Sequence, residues 1–107
     1  MSHIHKIKSG EQEYTINLGS YAIMHIYRKH GIDGLDTISV NDLNFDMIKL
    51  GLSENGSKEI SDSDVYSFID GLEGGMFGDI FKETITNWVL SAFNIPETKK
   101  KEELQEA

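Results

Sequence analysis

Two short stretches near the start of the chain alternate between faces. In the first, His3, His5 and Ile7 point one way and Ile4, Lys6 and Lys8 the other. In the second, Tyr14, Ile16 and Leu18 share a face. Ser9-Gly10-Glu11-Gln12 interrupts them, so the pair predicts a β-hairpin. A lone hairpin is marginal in water, and its apolar side must pack on something. The period then changes. Tyr21, Ala22, Met24, Ile26 and Tyr27 give a broad helical face between Gly19 and His30, with Ser20 as the expected N-cap and Gly31 as the stop. After a loop over 31–40, Leu43, Met47, Ile48 and Leu50 predict a second helix over about 41–52, started by a short capping box of Ser39 and Asp42. Ser61-Asp62-Ser63-Asp64 opens a third, whose stripe is Val65, Phe68, Ile69 and Leu72.

Gly71, Gly74, Gly75 and Gly78 place a break near 73–75. Beyond it, Phe77, Ile80, Phe81, Thr84, Ile85, Trp88, Val89, Ala92 and Phe93 recur at helical spacing. This predicts a long apolar C-terminal helix of four or five turns, ended by Pro96, that organises the core. The expected fold class is α+β, mainly α: an N-terminal β-hairpin followed by about four helices. Residues 1–96 are expected to form one compact domain, and the Lys/Glu-rich stretch 97–107 a charged, disordered tail.

Composition narrows the function. The chain has 107 residues, a net charge of −8 and no cysteine. Disulfides, thiolate zinc sites and a cysteine nucleophile are excluded. The negative balance opposes general nucleic-acid binding. No apolar run reaches the length of a membrane span, and no apolar leader follows Met1, so a cytoplasmic location is expected. The charge is uneven, with eleven acidic and two basic side chains between 31 and 79. A solvated face explains this, as does a docking surface for a basic partner.

Candidate chemistry is thin. Asp62, Asp64 and Glu73 match calcium-loop positions 1, 3 and 12, but the turn glycine is missing and a helical stripe occupies the same residues. His3 and His5 share a strand face with no third ligand marked, and His25 and His30 are five apart on a helix. The Gly71–Gly78 stretch precedes a helix but has no Gly-Lys-Ser/Thr and is negatively charged, so it reads as a hinge between helices. No local signature marks a nucleophile and base. No enzyme, cofactor or metal site is expected. The last helix, however, has more apolar side chains than one core face needs, since Met76, Leu90 and Ile95 add to the stripe. Part of it is expected to meet another chain. The candidate partner face is Phe77, Phe81, Ile85 and Trp88, although core burial explains these side chains equally well.

In this order of elements the chain resembles the small tail assembly chaperones of long-tailed bacteriophages over roughly residues 12 to 107. The resemblance rests on Tyr14-Thr15-Ile16-Asn17-Leu18 running into a helix that ends Ile26-Tyr27-Arg28-Lys29-His30-Gly31. It continues through the acid-led segment Ser61 to Asp70, the apolar stretch Phe81 to Phe93 and the Lys/Glu tail. It implies a non-enzymatic escort that binds the tape measure protein, keeps it soluble and helps recruit tail tube protein. Such proteins act in the host cytoplasm and are absent from the mature virion. Many occur in a short and a frameshifted long form, and Lys99-Lys100-Lys101 is the candidate frameshift point. A homo-oligomer is compatible with this reading. Two other classes stay open: an acidic inhibitor that mimics nucleic acid, and a small structural subunit of the virion tail.

Overall fold

The computed structural model describes residues 3–35 and 37–93, with the backbone alone for 32–35. The candidate frameshift residues Lys99, Lys100 and Lys101 and the expected tail over 97–107 lie outside the described residues.

The fold is α+β and mainly helical, with an antiparallel N-terminal hairpin and four helices. Strand β1 (Ile4–Ser9) pairs with β2 (Gln12–Asn17) in a register running from Ile4 opposite Asn17 to Ser9 opposite Gln12. The turn is the two residues Gly10 and Glu11. Gly10 takes φ +64°, the positive value that a two-residue hairpin turn requires. The inward face carries His5, Ile7 and Ser9 from β1 and Tyr14 and Ile16 from β2.

Four helices follow. Helix α1 spans Ser20–Leu35, and Gly31 inside it is non-helical at φ +71°, so the expected stop is a kink rather than an end. Ser20 is the first helical residue, not the cap. The entry is instead held by Asn17, whose Oδ1 accepts the Gly19 N–H at 3.0 Å. Helix α2 spans Val40–Leu52, and the Ser39 hydroxyl accepts the Asp42 N–H at 3.1 Å. Helix α3 spans Asp62–Gly71 and begins with a full capping box. The Asp64 N–H donates to Ser61 Oγ at 3.1 Å, and the Ser61 N–H donates to Asp64 Oδ2 at 2.9 Å. A 3₁₀ turn, Gly75–Phe77, leads to a π-helical segment, Ile80–Ile85, and then to α4, Thr86–Ala92.

The long regular helix expected from Phe77 to Phe93 is therefore not present. Three β-branched residues, Thr84-Ile85-Thr86, are poor α-helix formers. The Thr86 hydroxyl donates to the Phe81 carbonyl five residues back at 3.3 Å, which fits the wider π turn.

The last helix does not organise the core either. Helix α2 does: it packs against β2, α1, α3 and α4. It buries Leu43, Met47, Ile48 and Leu52 together with Asn44. Each large side chain buried this way contributes about 1.5–3 kcal/mol. The hairpin closes the other side through a direct graft onto the end of α3. Ser9 Oγ donates to the Phe68 carbonyl at 2.5 Å, and the Gly10 N–H donates to the Gly71 carbonyl at 2.7 Å. These bonds satisfy two carbonyls that a helix C-terminus leaves open.

Candidate functional site

The four side chains of the expected partner face separate in space. Phe81 and Ile85 are each 1% exposed and belong to the central cluster with Val65, Phe68 and Val89. They stand four residues apart on the inward side of the π segment, where the core packs around them. Trp88 is half-buried and stacks on His5, with ring centroids 4.3 Å apart and planes at 11°. Phe77 alone points outward, at 78% exposure. The proposed four-residue face is thus corrected to one free aromatic.

Phe77 is not isolated. Met76 beside it is 41% exposed, and both ride on the 3₁₀ turn between Gly74 and Gly78. Gly74 sits at φ +82°, and a Cβ there would lie 2.6 Å from Gly78 Cα. A Cβ on Gly78 would overlap the Glu73 carbonyl. The neck of the loop is pinched so tightly that only glycine fits at both positions. Backbone bonds lock it further: Gly75 N–H to the Leu72 carbonyl at 2.9 Å, and Gly78 N–H to the Gly75 carbonyl at 3.2 Å. The result is an apolar knob on a tight connection between helices, with the positive φ and close packing expected of this glycine stretch.

Charge surrounds this knob. Lys82 Nζ lies 5.7 Å from the centre of the Phe77 ring, a cation–π contact. Glu73 and Asp79, with Gly74, Gly78 and Ile80, line a depression of about 370 Å³ beside it. From Asp70 to Glu83 there are four carboxylates against Lys82.

The other polar side chains singled out by the sequence make contacts within the fold. Of the three residues in the calcium-loop count, Asp62 and Asp64 lie in the first turn of α3, where Asp62 pairs with Lys49 at 2.7 Å and Asp64 closes the cap, while Glu73 lines the depression beside the knob. His30 Nε2 and Lys29 Nζ each lie 3.1 Å from Asp46 Oδ2. His25 packs on the Tyr21 ring at 4.2 Å. Burial beside Trp88 lowers the pKa of His5 below the usual imidazole value, and the charge of His3 lowers it further. A second cavity of about 260 Å³ is lined by His25, Ile26, Lys29, Asp46, Lys49 and Leu50, and both of its lysines are already paired with carboxylates.

The sequence pattern placed Phe77 in the candidate face and counted Met76 only among the surplus apolar side chains of the last helix. The signal was Gly78, which separates the pair from the helical stripe that follows. Comparison with protein-family models, curated proteins and solved structures finds no match to this chain.

Proposed function

We propose that this protein is a non-enzymatic tail assembly chaperone of a long-tailed bacteriophage. On this reading it binds the tape measure protein, keeps it soluble and helps bring tail tube subunits to it. The observation that carries the reading is the Met76–Phe77 knob: a large aromatic exposed to water on a strongly acidic domain. Exposing an aromatic beside a second apolar side chain wins nothing for folding, and on the proposed reading the pair is the contact point for the client. The net charge of −8 keeps such a surface soluble while a hydrophobic client is attached. The family resemblance in element order and residue texture supplies the identity of the client.

The test is capture of the tape measure protein encoded in the same phage genome, co-expressed with this chain. Recovery that persists at 1 M salt, where the Debye length is about 3 Å, supports the chaperone. Recovery lost in high salt, or capture of a basic nucleic-acid-binding protein in its place, moves the function to the acidic inhibitor. The polypeptide itself in purified particles moves it to a structural subunit.

A further inference from the structure

We infer that the Met76–Phe77 knob and the acidic depression beside it form one docking site for an amphipathic helix of another protein. That helix carries Lys or Arg along the border of its apolar stripe. The inference rests on the client-binding reading above and specifies the client's chemistry.

Three observations converge on this occupant. The apolar element stands in water: Phe77, on the turn between Gly74 and Gly78, is 78% exposed, so covering it gains the burial free energy of an aromatic ring. The depression of about 370 Å³ has Glu73 and Asp79 in its wall, which suits a long basic side chain whose stem lies on Ile80. The Phe77 ring already holds the ammonium of Lys82 at 5.7 Å, so this ring presents a cation-accepting face at an exposed site. An acid-bordered helix would be repelled by the exposed Glu73 and Asp79, and a helix without basic residues would gain nothing from them. A second copy of this chain would bring carboxylates against carboxylates, since the same acidic stretch would face itself.

Designed amphipathic peptides test the site on the full-length protein. One has a leucine stripe bordered by lysines, and its twin is bordered by glutamates. The lysine peptide is expected to bind and the glutamate twin to bind at least tenfold more weakly, with the difference collapsing at 1 M salt. Phe77→Ala is expected to weaken the lysine peptide about tenfold or more, as a central aromatic anchor does. Glu73→Gln with Asp79→Asn is expected to weaken it about threefold while leaving the glutamate twin no worse. Unchanged Trp88 fluorescence and helical circular dichroism verify that each variant is folded.

Equal binding of both peptides overturns the charge assignment. Lysine-peptide binding indifferent to Phe77 overturns the site. In either case tape measure capture by the wild-type chain leaves the chaperone function standing. Phe77-dependent binding of the lysine peptide without any capture of the tape measure protein keeps the site and removes that client. Sedimentation showing a dimer that Phe77→Ala dissolves overturns the inference in favour of a self-association surface.

Discussion

Asn44 on α2 donates its side-chain amide to Thr86 Oγ1 at 2.8 Å across 42 positions of sequence. Thr86 passes the same hydroxyl on to the Phe81 carbonyl. This chain of bonds joins the central helix to the junction between the π segment and α4. Asn44 is only 1% exposed, and among the described residues its Oδ1 has no partner. Thr86→Val leaves the amide donor unpaired as well, and is expected to destabilise the fold by about 1–3 kcal/mol. Adding Asn44→Leu removes both stranded polar groups and is expected to recover most of that loss. Urea unfolding of the two single variants and the double variant measures the coupling. Additive losses contradict the assignment.

The graft of the hairpin onto α3 is equally specific. A Cβ on Gly71 would overlap Ser9 Oγ and approach the Gly10 nitrogen at 3.0 Å. Gly71→Ala is expected to cost about 1–3 kcal/mol by forcing the turn away and breaking the Gly10–Gly71 bond. Ser9→Ala in the same background removes the nearest atom and is expected to restore part of the loss. Thermal unfolding compares the two.

The stack of His5 on Trp88 predicts a pH dependence. The folded-state pKa of His5 is lowered, so the unfolded chain takes up the proton more readily. Stability is then complete above the unfolded value of 6.5 and declines as the pH falls from there through the folded value. His5→Phe keeps an aromatic ring on Trp88 but cannot titrate. The wild-type Tm is expected to fall between pH 7 and 5 relative to that variant. Parallel Tm curves contradict the assignment.

Phe77 and Phe81 are four residues apart and opposite in consequence. Phe81→Ala empties a buried site and is expected to cost about 3–5 kcal/mol, a large share of the ~5–15 kcal/mol that holds a domain of this size. Phe77→Ala is expected to change stability by no more than about 0.5 kcal/mol. Denaturant melts of the two variants separate core from surface without reference to any partner.

The hairpin, the starts of α2 and α3 and the glycine break were legible because their signals are local. Gly10 sits in a two-residue turn, and Ser39 and Ser61 lie directly before apolar stripes. The central role of α2 was not legible, because Asn44 interrupts its buried face with a residue that reads as polar. The π segment was not legible from periodicity, because i, i+4 spacing from Phe81 through Ile85 to Val89 fits a regular helix as well. The departure is held by a threonine whose partner is 42 residues away, and the β-branched run Thr84-Ile85-Thr86 was the one local warning. Of the four side chains expected on a partner face, Phe77 is exposed, Trp88 is half-buried, and Phe81 and Ile85 are in the core. A helical stripe marks side chains that pack together but not whether they pack inward, and Gly78 was the sign that Phe77 lies outside the stripe.

The frameshift expectation at Lys99-Lys100-Lys101 is independent of the fold. Intact mass spectrometry of products from the native gene with its downstream DNA is expected to show a second, longer species sharing the chain up to about that point. A single 107-residue product removes that support.

On the proposed function, the acidic domain keeps a helical client in solution through the Phe77 knob. The most direct measurement is the soluble yield of the tape measure protein expressed alone, with this chain, and with its Phe77→Ala variant. The account predicts an insoluble client alone, a soluble client with the wild-type chain, and a largely insoluble one with the folded variant. A client equally soluble, or equally insoluble, under all three conditions contradicts it.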